Sequence, residues 1–435
     1  MTSAPPRAAR RLPPHWELVT IVASLMALNA AAIDIYIPAL QEIGAGLVVE
    51  DANTRQFVIS SYILGFGGAQ LVYGPLADRY GRKPVLFAGL AIYIAAAAAA
   101  ALAQSFEALL LCRLVQGVGA AATRVIAISV VRDCFDGRRM ASVMSLVMMV
   151  FMAIPVIAPN VGQVILMVGS WHGIAWATAI FAAGVLVWTA LRLPETLDPA
   201  NRRPLTVERT VYAFREVLTT RVSLGYTLAT ALIFGVLFAF INQAEQVFTE
   251  VFALGPTFTL WFSAVAVVMA LVSFANSRLV ERFGMRRLSH AALLGFVGFS
   301  AAQLAVALVM GAGEPFWLFF ALIVPTFCCF GFIATNFNAL AMDPLGHVAG
   351  TASSVLGFCQ TLGGGIFGAA VGYLYDGTLV PLFAGYLILS LGALVLVLLA
   401  ERGSLFERRN RPPGAGGRPA HSVAAAAPAR DAIRR

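Results

Sequence analysis

Residues 74–84 read GPLADRYGRKP, and residues 277–287 read SRLVERFGMRR. At one constant offset Asp78 matches Glu281, Arg79 matches Arg282, Tyr80 matches Phe283, Gly81 matches Gly284 and Lys83 matches Arg286. Each copy follows a long apolar stretch and precedes another. A basic loop recurring in both halves of an apolar chain predicts a duplicated membrane bundle with parallel repeats, an organisation characteristic of transporters.

Composition carries the same message outward along the chain. It is 59% hydrophobic and 12% charged, with a mean hydropathy of +0.81, where soluble proteins average about 25% charged residues. A bilayer is crossed by roughly 20 apolar residues. Such stretches fall near 17–38, 56–76, 84–104, 107–130, 141–165, 172–192, 222–244, 258–279, 289–311, 316–341, 350–374 and 380–400. The prediction is an all-α membrane protein of twelve helices in two halves, 17–192 and 222–400. A short segment, 1–16, precedes them, a polar linker, 193–221, joins them, and a tail, 401–435, follows.

The net charge of +8 and pI of about 9.6 suggest nucleic acid until the charges are located. Basic residues gather at both termini, in the linker and in alternate loops: Arg7, Arg10 and Arg11, then Arg79, Arg82 and Lys83, then Arg132, Arg138 and Arg139, then Arg278 to Arg287. The other loops carry Glu50, Asp51, Glu107, Glu250, Glu314 and Asp376, with Arg55 the one clear basic exception. The positive-inside rule then places both termini in the cytoplasm, as an even span count requires. Charge serves topology here, and no nucleic-acid partner is expected. The N-terminal run is too long for a cleaved secretory signal and is read as the first helix. The tail, rich in Arg, Pro, Gly and Ala, is predicted to be disordered. The five cysteines show no metal-ligand spacing and are expected to be free thiols.

Within the loop motif, Gly74 permits close helix approach and Gly81 a tight turn. Asp78 can pair with an arginine or cap a neighbouring helix, and contacts of this kind predict a gate that breaks when the bundle opens. An ionisable group at the bilayer centre costs roughly 2.5–3.5 kcal/mol and marks function. Asp34 in helix 1 and Arg113 and Arg124 in helix 4 are such groups. Counted from the predicted helix ends, Asp34 and Arg113 both lie roughly 6–9 Å below the outer surface, which makes a pair feasible. Arg113 and Arg124, about three turns apart, share a face with Gln116 nearby. Arg124 either lines the cavity or snorkels to the cytoplasmic surface. Asp34 is the predicted proton carrier.

Helix 5 carries Pro155, Ala158, Pro159 and Gly162, and helix 11 carries Gly364, Gly368 and Gly372. Prolines bend a span and small residues allow close packing, which suits an interface between the halves. Asn242, Gln243, Glu245 and Gln246 lie near the outer end of helix 7; Glu245 is a second acidic candidate or an outer-loop residue. His172 and His290 lie at span ends and are expected at the interface. No metal-binding histidine pair, phosphate loop or nucleophile elbow is present. An enzyme is not expected, nor any cofactor or metal, and a proton gradient is the energy source available to the chain.

Together these motifs resemble the major facilitator superfamily and, within it, the Bcr/CflA group of drug:proton antiporters, over about residues 17 to 400. The loop 74–84 is similar to the superfamily's loop 2–3 motif. Asp34-Ile-Tyr36-Ile-Pro38-Ala39 resembles the group's helix 1 motif, whose aspartate is tied to proton coupling and substrate binding. Arg113-Leu-Val-Gln116-Gly117-Val-Gly119 resembles the helix 4 motif, whose arginine is tied to proton transfer. Ala158-Pro159-Asn-Val-Gly162 resembles the antiporter motif of helix 5. The resemblance implies a monomeric bacterial inner-membrane antiporter. It would export small amphiphilic compounds, chloramphenicol- or bicyclomycin-like, in exchange for protons. Alternatives are a metabolite permease on the same fold and a non-transporting membrane sensor.

Overall fold

A computed structural model describes residues 13–49, 51–135, 137–198, 202 and 207–406, and no strand occurs among them. The first half comprises α1 (His15–Asp34), α2 (Leu40–Gly46), α3 (Phe57–Tyr80), α4 (Arg82–Ala100), α5 (Phe106–Cys134), α6 (Gly137–Val168) and α7 (Trp171–Arg192). A connecting helix, α8 (Val207–Thr219), leads to the second half. That half comprises α9 (Arg221–Gln246), α10 (Phe258–Phe283), α11 (Met285–Met310), α12 (Phe316–Met342), α13 (Ala349–Phe358), α14 (Gly364–Tyr373) and α15 (Val380–Ala400). Among the described residues eleven segments are long and apolar enough to cross a membrane. In addition, α6, 32 residues long, contains the shorter apolar run Ala153–Val168.

Three elements differ from the sequence expectation. The first span does not end at Pro38: α1 stops at Asp34, a 3-10 turn covers Ile37–Ala39, and α2 continues to Gly46. Proline has no N–H to give the α-helical ladder, so the chain tightens at Pro38 and restarts. The eleventh predicted span is likewise interrupted, by a wide π-turn at Cys359–Gly363. The polar linker contains a helix, α8, whose Phe214 ring packs on Phe358 of α13. The predicted disordered tail lies outside the described residues beyond Phe406, as do residues 1–12.

Helices meet closely where side chains vanish. A Cβ on Gly65 of α3 would strike the Leu114 carbonyl of α5, and one on Gly117 of α5 would strike the Tyr62 carbonyl of α3. These two helices therefore pack backbone to backbone, as small residues allow in lipid. Helices α6 and α14 each bridge the halves: α6 packs on α1 of its own half and on α10, and α14 packs on α9 of its own half and on α3.

The repeated loops are matched turns. Gly81 (φ 103°) ends α3 and starts α4, and Gly284 (φ 82°) ends α10 and starts α11. Both sit in the left-handed region, where a side chain is strained. At this same end each half is clasped from first helix to last. Arg192 of α7 donates to both carboxylate oxygens of Glu17 in α1, at 2.6 and 2.7 Å. In the second half Glu401, just past α15, accepts from Tyr226 of α9 at 2.9 Å and from Arg286 of α11 at 2.8 Å. His290, expected at the interface, is instead 1% exposed. Its ring meets the Tyr226 hydroxyl and accepts from the Phe406 N–H.

Candidate functional site

Arg113 lies at the centre of the first half and is fully buried. It stands seven residues into α5, facing α1 and α3. Its Nε donates to the Val58 carbonyl at 3.1 Å, Nη1 to Gln116 Oε1 at 2.7 Å and Nη2 to the Ala32 carbonyl at 2.7 Å. The Tyr36 and Tyr62 rings lie 4.1 and 4.6 Å from the guanidinium carbon. Each such face contributes up to about 2 kcal/mol when water is excluded. Tyr62 is held in turn by its hydroxyl donating to Asn29, and Gln116 leans on Thr178.

Asp34 is the last residue of α1 and is 3% exposed. Among the described residues it makes no ion pair or hydrogen bond. The sequence brings its helix to the level of Arg113, as the Ala32 contact shows. The feasible Asp34–Arg113 pair is not formed, because backbone carbonyls, Gln116 and two rings already occupy the guanidinium. A carbonyl carries no signature in sequence, so these partners were not legible. Arg124, further along α5, is partly exposed; its guanidinium lies 5.9 Å from the Phe66 ring. It too makes no hydrogen bond or ion pair among the described residues.

The loop motif forms its network inside the first half. Arg82 bridges Asp78 and, at 2.9 Å, Asp133 at the end of α5. The N-terminus of α4 is capped by Glu195, which accepts from the backbone N–H of Arg82 and Lys83 at 2.9 and 3.0 Å. Asp78 thus takes the arginine and leaves the cap to Glu195. Lys83 reaches the Ala190 carbonyl at 2.8 Å, and Arg79 is exposed over the Tyr80 ring. Gly74 faces Ser354 of the second half, with room for a Cβ at ordinary contact distance. In the second copy Glu281 and Arg282 are exposed, while Arg286 pairs with Glu401.

At the opposite end of the bundle polar residues join the two halves. Arg55 bonds Glu250 at 2.9 Å, Gln41 bonds Thr249, and Asn53 takes Gln246 while donating to the Tyr373 and Tyr375 carbonyls. Glu245 is a buried helical residue at this seam, not a loop residue; Oε1 accepts from Thr249, and Oε2 has no partner among the described residues. Asn242 donates to Ser60 at 3.1 Å. Deeper, Gln70 of α3 donates to Thr361 in the π-turn, whose neighbour Leu362 packs on Gly67. The inter-half hydrogen bonds named here run from mid-bundle to the end away from the repeated loops. Arg55, the basic exception among the acidic loops, gains its reason: its acid stands on the other half.

Helix α6 contributes a proline-framed bridge. Pro155 and Pro159 lie inside the helix, and the carbonyl of Val156 between them accepts from Ser263 of α10 at 2.8 Å and from Asn160 at 2.7 Å. Ala158 is buried. A Cβ on Gly162 would strike the Ile35 carbonyl, so α6 lies against the break after Asp34.

The Major Facilitator Superfamily model matches residues 19–369. The chain is 29% identical over 386 residues to a bicyclomycin resistance protein homolog of Haemophilus influenzae, covering 86% of this chain and 92% of that one. It is 32% identical over 346 residues to the multidrug resistance protein MdtL of Escherichia fergusonii, covering 79% and 85%. Among solved structures it resembles a D-xylose-proton symporter, with a TM-score of 0.70, 14% identity and coverage of 91% and 99%. That last likeness concerns the fold alone.

Proposed function

This chain belongs to the Major Facilitator Superfamily, a multi-pass membrane transporter and not an enzyme, and on that premise we propose that it exports small amphiphilic compounds from bacteria in exchange for protons. The substrates are chloramphenicol- or bicyclomycin-like drugs. The chain crosses the inner membrane twelve times, α6 supplying the twelfth span, with both termini in the cytoplasm. The observation that carries the reading is Asp34: a buried carboxyl, unpaired among the described residues, at a helix break against α6 and two residues past the Ala32 carbonyl that holds Arg113, whose own needs are met elsewhere. A carboxyl with no cation to hold it can take up and release a proton as access alternates.

In the cycle, substrate enters from the cytoplasmic side while the seam of Arg55, Glu245 and Glu250 is joined. Parting of that seam releases the substrate outward, and a proton then loads Asp34. Return of the protonated carrier delivers the proton inside. Arg113 and Gln116 fix the wall beside Asp34, and Tyr36 covers the guanidinium. The Asp78–Arg82–Asp133 network holds the loop end of the first half as a unit through the change. For each net charge moved, a 100 mV potential contributes about 2.3 kcal/mol.

The names of the multidrug and bicyclomycin resistance relatives support the substrate class. The test is proton-driven drug accumulation in inverted membrane vesicles with an acidic lumen. The wild type accumulates drug and Asp34→Asn does not; unimpaired accumulation by the variant removes Asp34 from the proton path.

A further inference from the structure

We propose that Arg124 is the anchor for an anionic group on the substrate, so that the preferred cargo is an amphiphilic carboxylate or a compound of like charge. The inference rests on the transporter reading above but departs from the neutral chloramphenicol- and bicyclomycin-like compounds named there, setting an anionic amphiphile ahead of them.

Between the polar ends of the bundle, the charged residues in the apolar spans are Asp34, Arg113 and Arg124, all in the first half. The second half contributes none between 222 and 244, 258 and 277, 288 and 311, 316 and 341, 350 and 374, or 380 and 400; its one buried acid in a span, Glu245, stands at the end of α9 in the seam with Thr249, at the end of the bundle opposite Arg124. Arg113 is satisfied by two carbonyls, Gln116 and two tyrosine rings. Arg124 has one distant ring, Phe66. The interior of the first half therefore holds a positive charge in surplus even when Asp34 is ionised, and two when it is protonated.

Among the described residues no carboxylate stands against Arg124. Asp34 lies at the level of Arg113, and Arg124 is about three helical turns, roughly 16 Å, further along α5. Counted to the predicted span end at residue 130, Arg124 lies six residues, roughly 9 Å, from the cytoplasmic surface, a depth from which an arginine on a lipid-facing side can snorkel. Arg124 does not face lipid. Its ring neighbour Phe66 is 2% exposed and adjoins Gly67, which packs on Leu362 of the second half. Arg124 therefore stands at the inner seam between the halves, partly exposed, with donors to spare. The guanidinium fork matches a carboxylate in two parallel hydrogen bonds. The phenylalanine-rich interior of the second half, with Phe234 in ring contact with Phe238 and Phe330, suits the apolar body of such a compound.

The experiment uses purified full-length protein in detergent and three probes of one shape: 1-naphthoate, 1-naphthamide and 1-naphthylmethylamine. Affinity is measured by calorimetry for wild type, Arg124→Gln and Arg124→Lys. Wild type is expected to bind naphthoate at least about tenfold more tightly than the amide, and the amine most weakly. Arg124→Gln erases the difference between acid and amide, and Arg124→Lys keeps part of it. Thermal melting without ligand provides the folding control: Arg124→Gln melts no lower than wild type, because an unpaired charge has been removed. Wild type that ignores naphthoate, or prefers amide or amine, overturns the proposal. So does an acid preference that survives in Arg124→Gln, or a Gln variant that fails to fold while the Lys variant folds without the preference. Binding in detergent needs no proton gradient, so it stands or falls apart from the Asp34 vesicle test.

Discussion

Arg55 of the first half and Glu250 of the second meet at 2.9 Å, Nη2 to Oε1, across the end of the bundle away from the repeated loops. The two side chains are 13% and 35% exposed, so the pair is partly solvated and worth about 0.2–1 kcal/mol. Arg55→Ala is therefore expected to raise the population open at that end by about 1.4-fold to fivefold. Labelling of a cysteine placed at Ser60 in a cysteine-free background measures it. The double exchange Arg55→Glu with Glu250→Arg restores the wild-type rate if the pair itself matters; a swap as leaky as the single variant assigns the seal to its neighbours.

Arg113→Lys retains the charge and loses the fork. A lysine cannot serve Val58, Ala32 and Gln116 together while lying flat between Tyr36 and Tyr62. Losing one charged hydrogen bond of this kind costs about 1.5–3 kcal/mol. The variant should melt lower than wild type and transport at least about tenfold more slowly. Full activity in the lysine variant would show that charge alone suffices.

The two loop copies should respond unequally. Asp78 holds Arg82, which also holds Asp133, whereas Glu281 is exposed. Asp78→Asn is expected to slow drug efflux several-fold and Glu281→Gln to leave it within about twofold. Equal losses in a vesicle assay would contradict this division.

Acid should loosen the second half through Glu401. Burial pushes this carboxyl up, but the hydrogen bonds from Arg286 and Tyr226 outweigh it and hold the group below its usual value of 4.5. A carboxyl depressed in the folded state contributes stability that is present above its unfolded value and lost as pH falls through the folded one. Melting of the wild type should therefore fall below about pH 4.5. Glu401→Gln should start lower at neutral pH and show a flatter fall. Parallel curves would remove Glu401 as the acid-sensitive group.

Much of the architecture was legible because lipid demands long apolar runs and charge sorting, and both are linear features. The doubled loop, the level of Asp34 relative to Arg113 and the placing of α6 and α14 between halves follow from such features. What escaped depends on partners distant in sequence. Arg113 is held largely by backbone carbonyls, which any residue supplies. His290 looked like an interfacial histidine because Tyr226, Glu401 and Phe406 reach it from other elements. The π-turn at Cys359–Gly363 lies in an ordinary apolar run, and only its contacts with Gln70 and Gly67 give it a purpose. Arg55 did leave a trace, as the one basic residue among acidic loops.

The clasps of Glu17 with Arg192 and of Glu401 with Tyr226 and Arg286 close each half upon itself. Each six-helix unit then has its own beginning tied to its own end, and neither relies on covalent continuity with the other. Severed between residues 198 and 207 and produced as two fragments, the second retaining α8 against α13, the molecule should reassemble in the membrane as a pair of partners that recognise one another through the seam and the packing of α6 on α10 and α14 on α3.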